Sequence, residues 1–265
     1  AMTIFMVVPI VAPSLGQLIL FAAPWRWIFG ALLIYTLMIA AWTFFRLPET
    51  LAPENRRPFA PRAILAGYWI VISNRQVLGY TLASIFLTGA LFGYVASSEQ
   101  LFVEVYNLGP WFAAAFAAVA IAISAGTFLN SRLVMRYGMR RLSYIMTLAL
   151  TAIAALHLGF IVIGWTSFPI FMLMLALTFS TFGLISSNFG TLALDPVGHV
   201  AGSASALFGA ATATGGALIG GLIGRAYDGT TGPFAISVLI AALVTVAILL
   251  WLERGRLFIA NDTRA

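Results

Sequence analysis

Hydrophobic residues gather along this chain into long runs that are separated by short polar intervals. Windows of about 20 apolar residues, the length that crosses a bilayer core, recur along almost the whole chain. Pro24, Pro110, Pro169 and Pro233 mark boundaries between them, since proline interrupts a helix. The pattern predicts an all-α, polytopic helical membrane protein with eight spans, at residues 2–22, 25–46, 78–103, 111–131, 142–164, 168–190, 200–223 and 232–252.

Composition supports a membrane location. Hydrophobic residues make up 62% of the chain and charged residues 8%, whereas soluble domains carry about a quarter charged residues. So much apolar surface requires the lipid bilayer as a partner. Cysteine is absent, which excludes disulfides, thiolate chemistry and cysteine-based metal sites, and no metal site is predicted.

Arginine placement gives an orientation. All 14 basic residues are arginine, and threading eight spans puts all of them on one side except Arg26 and Arg225. The positive-inside rule makes the populated side cytoplasmic, so both chain ends are expected in the cytoplasm, in a bacterial inner (plasma) membrane. The basic residues therefore indicate topology, and no nucleic-acid partner is predicted.

The longest polar interval suggests a domain boundary. Ile64, Leu65, Tyr68, Trp69 and Ile72 follow a helical period within it, which favours an amphipathic helix along the inner membrane face; a solvated helix packed on the loop is the alternative. The chain enters its first apolar run without a basic flank, so we expect it to be truncated. The predicted organisation is two helices at 1–46, a cytoplasmic loop at 47–77, six helices at 78–253 and a tail at 254–265.

Two spans are rich in proline or small residues. The first contains Pro9, Ala12, Pro13 and Gly16, a combination that can kink a helix and let a neighbour approach, although an ordinary proline kink explains it equally well. In the seventh, Gly216, Gly220 and Gly224 recur every four residues. Such a stripe predicts close helix packing, and a sliding interface is its functional extension.

A tight loop between the fourth and fifth spans carries four arginines and a turn glycine. These charges can bond helix C-terminal carbonyls and latch neighbouring helices; a pure topology signal is the alternative. The residues concerned are Asn130, Arg132, Arg136, Gly138, Arg140 and Arg141.

These segments together resemble a known family. The arginine-glycine loop is similar to the cytoplasmic signature loop of the major facilitator superfamily, and the Ala12-Pro13 to Gly16 segment resembles its antiporter motif. Residues 93–106 and the segments 193–196 and 201–207 are similar to the Bcr/CflA drug-resistance group. The resemblance covers essentially the whole chain and implies that its spans are the last eight of twelve.

The resemblance implies a function. It suggests proton-coupled efflux of drugs or small amphipathic molecules by alternating access, driven by a proton gradient without a cofactor. It also implies that four amino-terminal helices are missing partners, that the coupling carboxylates generally lie there, and that the present fragment is inactive. A metabolite or sugar uniporter or symporter of the same superfamily, or a non-transporting membrane scaffold, is the alternative. A membrane enzyme is disfavoured because the two histidines and eight acids are scattered.

Ionisable residues within spans are functional candidates because they are costly in lipid. Glu99 is a proton or substrate candidate, or a solvated helix-end carboxylate, and His157 is a second candidate unless it is hydrogen-bonded inside the bundle. Aromatic and small polar residues on the third and sixth spans suit a substrate cavity, with core or lipid contact as the alternative. They are Phe86, Tyr94, Ser98, Phe102, Phe179, Phe182, Ser186 and Asn188.

Overall fold

The computed structural model describes residues 15, 16, 18–48 and 61–255. All regular elements in these ranges are helical, which confirms the all-α prediction for the described part of the chain. Short π and 3-10 segments lie at Gln100–Val105, Gly109–Trp111 and Asp195–Val200. The longer helices are α1 (Arg26–Arg46), α2 (Pro61–Ser73), α3 (Arg75–Glu99), α4 (Phe112–Tyr137), α5 (Met139–Val162), α6 (Phe168–Leu194), α7 (Ala201–Arg225) and α8 (Gly232–Leu252).

Helices occupy the predicted spans from the second to the eighth. Among the described residues, 6 stretches are long and apolar enough to cross a membrane, the longest being Phe168–Arg225 with 58 residues. At about 1.5 Å per residue that stretch would be nearly three times as long as a bilayer core is thick, and it consists of two helices, each long enough for one crossing. The break falls at Pro196 and at Val197, whose backbone is non-helical (φ −122°, ψ 25°). Of the first predicted span, only residues 15, 16 and 18–22 are described, and they are helical.

Local sequence explains two helix boundaries. Asn74 caps α3, because its Oδ1 accepts hydrogen bonds from the backbone N–H groups of Gln76 (2.9 Å) and Val77 (3.1 Å), as an N-cap residue does. Gly138 separates α4 from α5 with φ 75°, a conformation that side chains with a Cβ rarely adopt. The glycine therefore lets two long helices be joined by a single residue.

Residue contacts divide the chain into two units, residues 1–63 and 64–265. In the first unit, α1 is described in full and none of its residues is buried. Its apolar side chains are exposed along its whole length, for example Trp27, Leu33 and Phe44. Apolar residues all around a helix are expected of one that faces lipid.

The second unit is a bundle in which α3 contacts α6, α7 and α8, while α4 packs on α6 and α5 on both α6 and α8. One core cluster contains Tyr94 and Phe179, and a second contains Tyr80 and Phe189. Both clusters draw on α3 and α6, so these two helices form the centre of the bundle. The predicted domain boundaries themselves stay predictions.

The short helix α2 lies in the interval where an amphipathic helix was predicted. Val71 is buried with Val77 and Val200, and Gly67 lies so close to Ser203 that an added Cβ would be 2.9 Å from its hydroxyl oxygen. On the other side, Leu65 and Trp69 are exposed. The described side chains of α2 thus have one face packed against the bundle and one apolar face that is uncovered.

Candidate functional site

The glycine stripe of α7 packs directly on α3. A Cβ added at Gly216 would lie 2.7 Å from Thr88 Cγ2, and one at Gly220 would lie 2.5 Å from Phe92 Cβ. At Gly224 the nearest atom, a Cβ on α3, would be 3.1 Å away. The two backbones therefore approach closely along this stripe, which maximises dispersion contacts where lipid supplies no hydrophobic driving force.

A second close crossing joins α4 to α6, and the sequence analysis did not single it out. A Cβ at Gly126 would lie 1.9 Å from the backbone oxygen of Ser180, and one at Gly183 would lie 2.2 Å from that of Ile123. Both glycines therefore let one helix press against the other's backbone. The available signal was the run of small residues around Gly126, from Ser124 to Thr127.

Asn130 and Asn188 form a reciprocal amide pair one turn beyond this crossing. Asn130 Nδ2 donates to Asn188 Oδ1 (3.0 Å), and Asn188 Nδ2 donates back to Asn130 Oδ1 (2.8 Å). Further bonds run from Asn130 to Ser187 Oγ (3.1 Å) and from Asn188 to the Leu184 oxygen (3.1 Å). The side chains are only 4% and 3% exposed. Sequence reasoning had assigned Asn130 to the arginine loop and Asn188 to a cavity; the structure brings them together between α4 and α6.

The aromatic cavity candidates lie mostly within the bundle core. Tyr94, Phe102 and Phe179 are buried, and the Tyr94 ring lies 4.8 Å from that of Phe179 and 6.2 Å from that of Phe102. Ser98 is also buried and donates to the Val95 oxygen (2.9 Å).

The remaining cavity candidates, Phe86, Phe182 and Ser186, are half-buried. An apolar cavity of about 10 Å³, which has barely room for one water molecule, lies beside Phe179 and Phe182. In this conformation most of the candidates therefore fill the bundle, and their role in binding substrate stays a prediction.

The two ionisable candidates have different surroundings. Glu99 is exposed at the last residue of α3, immediately before the π-helical segment Gln100–Val105. His157 is buried on α5, where its ring centre lies 5.7 Å from that of Phe171. They are therefore separate features, one at the bundle's end and one inside its core.

Loop contacts close the end of the bundle near Glu99. The Tyr106 hydroxyl donates to the Thr166 oxygen (2.9 Å). Burial raises the pKa of Tyr106, and together with a smaller, lowering effect of a hydrogen bond with Thr231 the result is about 12. The Tyr106 hydroxyl thus links the loop after α3 to the loop before α6.

The arginine-rich loop lies at the opposite end. Arg132 lies over the Phe128 ring (4.9 Å) and Arg136 over the Tyr137 ring (5.5 Å), which are cation–π contacts within α4. Arg140 reaches other helices: it donates to Gln76 Oε1 (2.8 Å) on α3. This acceptor is a side chain near the start of α3 and not a helix C-terminal carbonyl as predicted, and the latching role of the loop stays a prediction.

The small-residue segment of the first span lies mainly outside the described residues. This applies to Pro9, Ala12 and Pro13, whereas Gly16 is described and helical. An added Cβ at Gly16 would meet no atom within 4 Å. Among the described residues, no group of three or more metal-ligating side chains is found.

The helices and their apolar surfaces define a multi-pass, all-helical membrane protein. The family model of the Major Facilitator Superfamily matches residues 1–220. This chain belongs to that superfamily, which confirms both the predicted fold class and the family resemblance drawn from its motifs.

Two curated relatives extend along nearly the whole chain. This chain is 30% identical over 256 residues to the Bicyclomycin resistance protein homolog of Haemophilus influenzae. The aligned region covers 93% of this chain and 61% of the relative. The chain is 29% identical over 255 residues to the Uncharacterized MFS-type transporter YdgK of Bacillus subtilis, covering 92% and 61%. The chain therefore spans about three-fifths of the length of the curated relatives it matches.

Proposed function

We propose that this chain is part of a secondary active transporter that exports drugs or small amphipathic molecules in exchange for protons. The observation that carries the proposal is the similarity, over 93% of this chain, to a relative named for bicyclomycin resistance. Superfamily membership supports transport, and the resemblance to the antiporter motif supports export over uptake. Because the chain covers 61% of its relatives, this activity belongs to the whole protein.

The bundle's packing supports alternating access, in which halves of a transporter rock around a central site. Rocking requires helices that move together. The α3–α7 and α4–α6 crossings bring backbones into contact at Gly220 and Gly126, and the second is joined by the pair of Asn130 and Asn188. Such closely packed helices suit a unit that moves as one body.

We assign Glu99 as the carboxylate of this chain that attracts protons or cationic substrates. Glu99 is exposed within the apolar stretch Arg75–Val105, and carboxylates attract cations. The main coupling carboxylates are expected outside this chain, in keeping with the resemblance. Glu99 therefore modulates transport, and its neutralisation is expected to reduce extrusion severalfold.

The test is proton-gradient-driven extrusion of a lipophilic cationic dye from membrane vesicles. We would compare this chain, a version extended to the length of its relatives, and Glu99→Gln in the extended version. Extrusion by the extended version alone is expected, with a loss in Glu99→Gln. A matched control is Glu104→Gln, because Glu104 is another exposed carboxylate at the same end.

The outcomes separate the claims. Dye retention in the extended version would contradict drug efflux and favour a metabolite carrier or a scaffold. Equal extrusion by Glu99→Gln and Glu104→Gln would contradict the specific role of Glu99 and leave the drug-efflux proposal standing. Extrusion by the unextended chain would contradict the expectation that it is inactive.

A further inference from the structure

A network of polar side chains ties the end of α8 to α5 at the arginine-rich end of the bundle. Glu253 follows the last residue of α8 and is 23% exposed. Its Oε1 lies 4.0 Å from Arg140 Nη1, and it accepts a hydrogen bond from the Tyr144 hydroxyl. Both partners belong to α5, so a single carboxylate joins α8 to that helix twice.

Two tyrosines continue the network into the core. The hydroxyl oxygens of Tyr144 and Tyr80 lie 3.1 Å apart, and both side chains are buried. A tyrosine hydroxyl has one hydrogen to donate. Because Tyr144 donates its hydrogen to Glu253, Tyr80 must be the donor to Tyr144. The chain of bonds therefore runs from α3 through α5 to the carboxylate of Glu253.

Further contacts at the same end link α6 and reinforce α8. Gln76 accepts from Arg140 (2.8 Å) and donates through Nε2 to the Leu192 oxygen (2.8 Å). Arg75 donates to the backbone oxygen of Trp251, and its guanidinium carbon lies 4.7 Å from the centre of that ring. Side chains of α3 therefore hold the ends of α6 and α8.

Glu253 differs from the other side chains of this polar network because it carries a negative charge. Arginine dominates this end of the bundle, and the Arg140–Glu253 pair is the ion pair found among the described residues. An exposed pair contributes little by itself. Here the same carboxylate also accepts a bond from the buried Tyr144, and hydrogen bonds to charged groups are stronger than neutral ones.

We propose that Glu253 is a clamp residue that positions the end of α8 against α5 and α3. We name Glu253, Arg140, Tyr144 and Tyr80 the Glu253 clamp. The clamp keeps this end of the six-helix bundle closed on itself, and its removal lets the end of α8 separate from its neighbours. This inference concerns the bundle itself and does not depend on what the protein transports.

The experiment uses the absence of cysteine from the chain. A single cysteine at Thr245, which is completely buried on α8, would report opening of the helix through its labelling rate with N-ethylmaleimide in membranes. Val238→Cys is the matched control, since Val238 is also buried on α8. At about 1.5 Å per residue these positions lie about 12 Å and 22 Å from Glu253 along the helix.

We expect Glu253→Ala to raise the labelling rate at Thr245→Cys about tenfold, the effect of losing one hydrogen bond to a charged group. At Val238→Cys the rate should stay within twofold of the parent. Glu253→Gln keeps an acceptor for Tyr144 but loses the charge, so its effect should be smaller. Because Arg140 and Glu253 form an ion pair, Arg140→Gln combined with Glu253→Gln should raise the rate by less than the product of the two single effects.

Three results would overturn the proposal. One is a rate at Thr245→Cys in Glu253→Ala within twofold of the parent. Another is an equal increase at Val238→Cys, because that means general loosening of α8. The third is full multiplication of the effects of Arg140→Gln and Glu253→Gln, because the two side chains then act independently.

Discussion

The contact between Gly126 and α6 gives the sharpest prediction for the stability of the bundle. In Gly126→Ala the new methyl group would lie 1.9 Å from the Ser180 oxygen and 2.7 Å from its carbonyl carbon. Both atoms belong to the backbone of a helix, so a rotamer change offers no relief. Reaching an ordinary contact of about 3.4–4 Å requires α4 and α6 to separate by roughly 1.5 Å.

The loss of stability in Gly126→Ala depends on the contacts that the separation of α4 and α6 disturbs. Overpacking of a core by one methyl group typically costs about 1–3 kcal/mol, and a backbone clash should fall at the upper end of that range. The Asn130–Asn188 pair lies one turn away on the same two helices, so it is strained as well. We expect about 3 kcal/mol of destabilisation, which in a domain of this size lowers Tm by roughly 6–12 °C.

The assay is thermal unfolding of the purified chain in detergent, followed by circular dichroism. Gly221→Ala is the control, because Gly221 lies in a helix and an added Cβ there would meet no atom within 4 Å. Alanine is the better helix former by about 1 kcal/mol, so the Tm of the control should stay equal or rise. If Gly126→Ala melts within 1 °C of the parent, or no lower than Gly221→Ala, the close α4–α6 crossing is wrong.

Two further predictions concern the same crossings. Asn130→Leu or Asn188→Leu alone leaves a buried amide without its reciprocal partner and should lower the free energy of unfolding by about 1–3 kcal/mol. The double substitution should lower it by clearly less than the sum of the two single effects. Additive losses of stability in the unfolding assay would contradict the reciprocal pair. Gly220→Ala should lower Tm more than Gly224→Ala, because the added methyl meets α3 at 2.5 Å in the first case and 3.1 Å in the second; the reverse order would contradict the close approach at Gly220.

Much of the fold was predictable from hydropathy. The second to eighth predicted spans match helices, because a segment in lipid must satisfy its backbone hydrogen bonds internally and so becomes helical. Helix ends were less certain: α3 begins at Arg75, three residues before the predicted start, where Asn74 provides the cap. Hydropathy does not register a polar residue that caps a helix, so the boundary was placed too late.

The candidate site was predictable only in part. The spacing of Gly216 and Gly220 indicated close packing, because small residues on one stripe create a flat surface, but it did not identify α3 as the partner. Asn188 was assigned to a cavity from its residue type and from the family resemblance, and that role stays a prediction. The structure adds its pairing with Asn130, which is 58 positions away along the chain.

Glu253 was missed for a similar reason. It lies at the end of the last span, where a single carboxylate resembles any solvated helix end. Its partners Arg140 and Tyr144 belong to a helix more than a hundred positions earlier. A contact of this range leaves no local periodicity, so no pattern in the sequence pointed to it.

The sequence by itself determined that this protein is helical, that it belongs in a membrane and where the second to eighth predicted spans lie. These properties are local, because each follows from the transfer of one segment between water and lipid. Only the tertiary structure decided that α7 packs on α3 and α4 on α6, and that Glu253 meets Arg140. Helices in lipid gain little from apolar burial and choose partners by shape and polar contacts, which depend on residues far apart in the chain.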